Sequence, residues 1–392
     1  MERSELEALL HPESLRLLAS LREEDSPRDP AQLVPQLRKA GHAADRVAAV
    51  LDQWALRPKA IEKFGAFADR MLFTKPGLEQ ATRLAIASHH ATRFDQAHLH
   101  HIADLGCGIG GDSLAFAGLS MTVTAIDADP VTVAIAGYNL QPFETVTVSP
   151  GLAEETPLDS VDALWLDPAR RSGSQRLSNP GDWSPHLEWV IAQAQKHPAG
   201  IKLAPGMDRG LIPSGMEAQW ISHHGSVAEM VLWSRELARP GISRSALVLS
   251  TRGTAELTGA ADAADAQVGE LGPYLVEPDG AVIRARLIGD LARQHDGAML
   301  DDSIAYFSTH QPVISPLAQC FAIEAVVPYN LKRVKELVAG ASVGSLEIKK
   351  RGIDVDPAEL RKGLPLEGSG EKTLILTRHR GDRIAILARR MA

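Results

Sequence analysis

The chain has 392 residues, 44% of them hydrophobic and 23% charged, with a net charge of −8. That length supports two or three domains and a large core, and the negative balance excludes a protein that meets nucleic acid with its whole surface. No apolar run approaches the roughly 18–20 residues needed to span a bilayer, and Met1-Glu2-Arg3-Ser4-Glu5 has acids where a secretory leader would be basic, so a cytoplasmic protein with no membrane partner is expected.

Residues 1–97 read as a helical region. Leu9, Leu10, Leu15, Leu17, Leu18 and Leu21 crowd its start, and Asp25 to Pro35 is a break rich in Pro and Asp. Ile61, Phe64, Phe67 and Met71 recur at spacings of three and four, which predicts one apolar helical face. Pro76-Gly77 marks a turn, with a helix expected from Leu78 to about Thr92.

Strand and helix patterns then alternate over 98–253. The strand candidates are His101–Leu105, Thr122–Asp127, Thr145–Val148, Val161–Asp167, Gly200–Ala204 and Ala246–Ser250, with a helix from Ser113 to about Leu119. Such alternation predicts an α/β fold, a Rossmann-like doubly wound sheet with helices on both faces. Residues 254–318 read as a linker and helical connection, with Thr254 to Gln267 rich in Ala, Asp and Gly and Val282 to about Arg293 helical. Residues 319–392 read as a small α+β domain of order β-α-β-α-β-β. Its elements are strand Phe321–Val327, helix Leu331–Val338, strand Ser345–Lys349, a helix capped by Asp356-Pro357 and running to Lys362, and a hairpin of Thr373–Arg378 with Arg383–Ala388. From Phe321 onward 14 Lys and Arg face 9 Asp and Glu, a net of +5, which leaves −13 on the first 320 residues. A basic end on an acidic body points to a local anionic partner.

The densest chemical signal is Asp104-Leu105-Gly106-Cys107-Gly108-Ile109-Gly110-Gly111-Asp112, between a strand and a helix. Glycines let the backbone turn tightly and let a ligand approach where a Cβ would intrude. Gly106, Gly108 and Gly111 also satisfy the dinucleotide pattern G-x-G-x-x-G. Asp104 separates the two readings. A carboxylate two residues before the first glycine opposes a pyrophosphate but suits a cationic amino-acid end. Asp127, ending the second strand, can accept two ribose hydroxyls. The run Asp-x-Gly-x-Gly-x-Gly resembles the nucleotide loop of class I methyltransferases, which implies S-adenosylmethionine as cofactor. Candidate cofactor contacts are Asp104, Gly106, Gly108, Gly110, Asp127 and Asp129. Cys107 reads as a small apolar filler. With Cys320 it makes two cysteines, too few for a disulfide framework or a thiolate zinc site. No acidic ligand set surrounds the histidines, so no metal is expected.

Asp167-Pro168-Ala169-Arg170-Arg171 follows the fourth strand and resembles the Asp/Asn-Pro-Pro-aromatic motif of methyltransferases that modify nucleobase nitrogens. There the acid and a proline carbonyl orient the target nitrogen, and catalysis is mostly positioning. Ala169 replaces the second proline and Arg170 the stacking aromatic. Arg170 and Arg171 are suited to hold a phosphate or stack on a base. The same loop resembles that of uridine C5 methyltransferases, but Lys202-Leu203-Ala204-Pro205-Gly206 has no cysteine where those enzymes need a nucleophile. Lys202, near the end of a buried strand, needs a partner or the site mouth, and Glu229 is a similar case.

Leu72-Phe73-Thr74-Lys75-Pro76-Gly77-Leu78-Glu79-Gln80-Ala81-Thr82-Arg83, the glycine loop, Asp167-Pro168-Ala169-Arg170-Arg171, Lys202-Leu203-Ala204-Pro205-Gly206, Glu277-Pro278-Asp279-Gly280-Ala281-Val282-Ile283-Arg284-Ala285 and Leu346-Glu347-Ile348-Lys349-Lys350-Arg351-Gly352 together resemble one bacterial family, class I methyltransferases with a C-terminal THUMP-like domain, over roughly residues 55–392. The resemblance implies that Thr74 or Gln80 contacts the cofactor's methionine end. It points to RNA as substrate. With the Asp167 turn and the basic C-terminal end, the expectation is methyl transfer to RNA, at a base nitrogen in preference to a pyrimidine C5, with Asp167, Pro168, Arg170 and Lys202 as the catalytic set and Arg171, Lys349, Lys350 and Arg351 touching the RNA. A small-molecule or protein acceptor, and a non-catalytic RNA-binding protein with a relic cofactor pocket, stand as alternatives.

Overall fold

The computed structural model describes residues 1–21, 30–168, 171–172, 175–176 and 182–391. The chain divides into two compact units, residues 1–203 with 232–237, and residues 204–231 with 238–392.

The first unit opens with helices α1 (Arg3–Leu10), α2 (Pro12–Ser20), α3 (Val34–Lys39), α4 (Ala44–Phe64), α5 (Lys75–Gln80) and α6 (Leu84–Gln96). Leu6, Leu9, Leu17 and Leu18 are buried where α1 and α2 pack against α4, whose own buried face includes Val47, Val50 and Leu51. Two sequence expectations are corrected here. Gly65 takes φ 56° and ends α4, so the chain turns into a tighter 3-10 segment at 65–70. Phe64 and Met71 are buried but Ile61 and Phe67 are exposed, so the four do not share one face. The helix expected at 78–92 is two helices. Thr74 caps α5, its Oγ1 accepting from Gly77 N at 3.0 Å, and Pro76 occupies the first turn, where no N–H donor is required. The chain breaks after Gln80 and α6 begins at Leu84.

Beyond these helices come β1 (His101–Leu105), α7 (Gly111–Gly118), β2 (Thr122–Asp127), α8 (Pro130–Leu140), β3 (Val146–Pro150), β4 (Ala163–Leu166), the short pair β5 (Arg171–Ser172) and β6 (Gln175–Arg176), α9 (Leu187–Lys196) and β7 (Ala199–Leu203). The main strands of this unit are parallel in the order β3-β2-β1-β4-β7. Strand order reverses between β1 and β4, and ligands of such sheets sit outside the carboxyl ends at that switch point. β4 and β7 are buried along their whole length, which is why both read as continuous apolar runs. Trp165 on β4 packs among His90, Phe94, Phe116 and Trp233 at ring separations of 4.4 to 6.3 Å. Gly200 makes room for it, since a Cβ there would lie 2.6 Å from the Trp165 ring.

The second unit contains β8 (Glu217–His223), β9 (Ser226–Ser234, its last three residues in the first unit), β10 (Arg244–Ser250) and β11 (Gly253–Gly259). β10 pairs parallel with β8 and antiparallel with β11. The linker expected from Thr254 is therefore a strand. Gly253, at φ 112°, folds the chain back on β10 and Leu257 is buried. Next come β12 (Tyr274–Pro278), α10 (Gly280–Arg284), α11 (Ile288–Gln294), β13 (Ala298–Asp301), β14 (Ile304–Thr309), β15 (Ala318–Pro328), α12 (Leu331–Gly340), β16 (Val343–Lys350), α13 (Pro357–Lys362), β17 (Gly370–His379) and β18 (Asp382–Arg390). The β-α-β-α-β-β order expected after 319 is present. Its strands continue into β12, β13 and β14, from the stretch read as a connection, in one sheet of order β13-β14-β12-β15-β18-β17-β16. The β17–β18 hairpin turns through Arg380 and Gly381, both at positive φ (53° and 85°), as a two-residue turn matched to strand twist requires. Val334, Val338 and Leu360 from its helices pack with Leu374, Leu376 and Leu387 from its strands.

Candidate functional site

The site lies in the first unit, at the carboxyl ends of β1, β2, β4 and β7. The chain leaves β1 at Leu105 and crosses Gly106, Gly108 and Gly110 at φ values of 93°, 55° and 86° before α7. A Cβ on Gly106 would sit 2.6 Å from the Asp167 carbonyl oxygen, so only glycine lets the ends of β1 and β4 approach this closely. A Cβ on Gly108 would meet nothing within 4 Å, so open space faces the loop there.

Asp104, at the end of β1, is 1% exposed. Its Oδ2 accepts from the Ser113 hydroxyl, and its Oδ1 has no partner among the described residues. Burial, reinforced by the nearby Asp112 carboxylate, pushes its pKa up to about 8. Asp127 ends β2. Its Oδ2 accepts from Gly108 N and its Oδ1 from Asp129 N, both at 3.0 Å, and burial raises its pKa. Asp129 caps α8, accepting from Val131 N and Thr132 N at 3.2 Å. Thr74 caps α5, and Gln80, at the end of that helix, is exposed. Gly110 opens α7. Cys107 is buried and its thiol pKa is raised by that burial.

A chain of charged and polar groups borders the loop. Lys202 on β7, 6% exposed, brings its Nζ to 2.6 Å from Asp167 Oδ2 and 3.7 Å from Asp112 Oδ2. The same Nζ donates to Thr82 Oγ1 at 2.9 Å, and Thr82 donates onward to Asp112 Oδ2 at 2.7 Å. Asp112 Oδ1 lies 3.0 Å from His90 Nδ1. Burial alone would raise the Asp112 carboxyl, but the Lys202 charge and the His90 and Thr82 hydrogen bonds outweigh it and hold it at about 2. Pro168 is buried beside Asp167.

Asp104, Gly106, Asp167 and Lys202, drawn from well-separated segments, are thus brought together. Ala169 and Arg170 lie outside the described residues, and Arg171 is described only as the backbone of β5. Glu229 is buried on β9. Lys349, Lys350 and Arg351 lie at the end of β16 in the second unit. Lys349 is paired with Glu277 at 2.8 Å and Glu347 at 3.8 Å, Arg351 stacks over Tyr306 at 5.0 Å, and Lys350 is exposed. Sequence reasoning missed Asp112, Thr82 and His90. The adjacency of Asp112 to the glycine loop was the available signal, but an acid in a first helical turn ordinarily reads as a helix cap.

The family model described as THUMP domain-like matches residues 318–390, and a domain of unknown function (DUF8688) matches residues 2–60. Two Mycobacterium tuberculosis proteins described as uncharacterized S-adenosylmethionine-dependent methyltransferases are 31% identical over 351 residues, covering 85% of this chain and 93% of theirs. A crystal structure of a Porphyromonas gingivalis W83 protein assigned as a methyltransferase superposes with a TM-score of 0.77 at 20% identity, covering 100% of this chain and 99% of that one. No helix among the described residues is long and apolar enough to cross a membrane.

Proposed function

This chain belongs to the S-adenosylmethionine-dependent methyltransferases, and from that premise we propose that it methylates RNA on a base nitrogen. The residues present fit the cofactor. Asp104 Oδ1 is a buried acceptor with no partner among the described residues, and the space over Gly108 is open. When bound, S-adenosylmethionine supplies a methyl group already activated by its sulfonium sulfur, so the task of the protein is positioning.

Asp104 takes the cationic amino end and gives up the proton that burial keeps on it. Asp127 accepts the ribose hydroxyls, and Asp129 fixes the turn after β2 that presents them. Gly106, Gly108 and Gly110 offer backbone without side chains. Thr74 and Gln80 flank the methionine end. Asp167 and Pro168 orient the acceptor, with the Asp167 carboxylate accepting from an acceptor N–H so that the nitrogen lone pair faces the methyl. Lys202 holds Asp167, and Arg170 and Arg171 serve to hold a phosphate or stack on a base of the acceptor. Lys349, Lys350 and Arg351 contact the phosphate backbone.

The observation that carries this reading is the Lys202–Asp167 pair, 2.6 Å apart, beside a loop that approaches Asp167 through Gly106. The THUMP-like match and the net charge of +5 after residue 320 support RNA as acceptor. A small-molecule or protein acceptor is the rival, favoured by the pairing of Lys349 with Glu277. Mass spectrometry of nucleosides in RNA from a deletion strain and its parent tests the choice. Loss of one N-methylated base in the deletion strain is expected. Unchanged RNA, with labelled methyl appearing in protein or metabolites, supports the rival.

A further inference from the structure

We infer that Asp112 is a positioning residue of the transfer step: with Thr82 and His90 it fixes the Lys202 ammonium, and through it the Asp167 carboxylate against the acceptor. The inference rests on the assignment of Asp167 to the acceptor made above.

Asp112 stands in the first turn of α7, where a carboxylate commonly serves the helix's own N–H groups. It does not do so here. Both of its oxygens reach outward, Oδ2 to Thr82 in the break between α5 and α6 and Oδ1 to His90 on α6. The break that puts Thr82 in reach interrupts what local pattern reads as one helix. The hydrogen bonds have a defined direction, Lys202 donating to Thr82 and Thr82 to Asp112. Thr82 and Asp112 therefore both hold the ammonium, in addition to Asp167.

The chain is also graded from inside to outside. The His90 side chain is 1% exposed and those of Asp112 and Lys202 8% each, whereas that of Asp167 is 27% exposed. Lys202 sits closer to the half-buried Asp167 carboxylate, at 2.6 Å, than to the buried Asp112, at 3.7 Å. A buried ammonium persists only when paired and hydrogen-bonded. Asp112 supplies a second negative charge that keeps Lys202 charged and in register, while Asp167 remains the carboxylate that meets the acceptor.

The test uses the full-length protein, labelled S-adenosylmethionine, and RNA from a deletion strain as acceptor, with calorimetry of cofactor binding alongside. Asp112→Asn and Thr82→Val each lower kcat on the order of 100-fold while the cofactor Kd changes less than about threefold. Thr82→Ser, which keeps the hydroxyl, retains most of the activity. In Asp112→Asn the alkaline limb of the kcat profile moves to lower pH. Among the described residues Thr82, Asp112, Asp167, Asp104 and Lys63 act on Lys202, and one of the carboxylates favouring its charge has been removed. Unchanged kcat and pH profile in Asp112→Asn, or equal loss of activity in Thr82→Ser and Thr82→Val, overturns the inference. So does a crystal structure of Asp112→Asn in which the Lys202–Asp167 pair is unmoved. That arm decides the inference even if the wild type transfers no methyl to RNA, a result that would count against the RNA reading alone.

Discussion

Replacing Gly106 by alanine perturbs the place where the glycine loop and Asp167, the carboxylate proposed to meet the acceptor, come together. The residue sits at φ 93°, where an L side chain costs about 1–2 kcal/mol in backbone strain. The added Cβ would also lie 2.6 Å from the Asp167 carbonyl oxygen and 3.4 Å from its carbonyl carbon. Both belong to backbone at the end of a buried strand, so the strand ends must part by roughly half an ångström or more to restore ordinary contact. The combined cost of about 2 kcal/mol or more predicts a Tm lower by roughly 4–8 °C for a unit of this size. The larger effect falls on activity. Moving Asp167 away from the loop by such a distance lowers kcat on the order of 100-fold. Thermal unfolding by calorimetry and single-turnover methyl transfer measure the two effects. A Gly106→Ala protein with wild-type Tm and wild-type transfer would refute the argument that glycine is required by the closeness of β1 and β4.

Gly137→Ala makes the contrasting case. It stands within α8, and a Cβ placed there would meet nothing within 4 Å, so the change should stabilise the protein by about 0.5–1 kcal/mol, read from the urea midpoint; destabilisation would mean that the position serves another purpose. Asp104 is raised from 3.8 to about 8 by burial. The sign follows from linkage: its stabilising contribution is complete below the ordinary carboxyl pKa and is lost as pH rises through the folded value. The cofactor-free protein should lose stability toward pH 8, more steeply than Asp104→Asn does. Cofactor binding at pH 7 should release about one proton in calorimetry across buffers of different ionisation heat; parallel stability curves and no proton release would count against it. Cys107, with its thiol pKa raised by burial, should label slowly with iodoacetamide at pH 8, and Cys107→Ala should keep activity within about twofold. Rapid labelling of that residue would contradict the filler role.

Much of the first unit's sheet is legible from local pattern. His101–Leu105 and Thr122–Asp127 match β1 and β2 residue for residue, because a buried parallel strand is a short apolar run closed by a loop. The β-α-β-α-β-β order after 319 is legible for the same reason, helped by Pro357 at a helix start and Gly381 in a turn. Where pattern failed, tertiary pairing outweighed it. β8 carries Glu217 and Gln219, both buried, and polar residues of that kind disguise a strand. Glu217 is tolerated because Arg239 and Ser245 satisfy it. β11 looks like a linker until β10 pairs with it. The break before α6 carries no glycine or proline of its own, and its Thr82 is bound instead to Asp112 and Lys202.

What the sequence determined by itself was the cofactor's class and the local shape of the glycine loop with its two flanking acids. The glycines, Asp104 and Asp127 lie within one strand–loop–helix–strand unit, whose geometry follows from residues close along the chain. What only the folded chain decided was the electrostatics around Lys202 and Asp167. Thr82 and Lys202 are 120 residues apart and meet at 2.9 Å, Asp112 faces away from its own helix, and Asp167 is held by a cation from a neighbouring strand. Hydrogen bonding and Coulomb attraction act over a few ångströms of space and are indifferent to separation along the chain, so contacts of this kind exist only once the sheet has assembled.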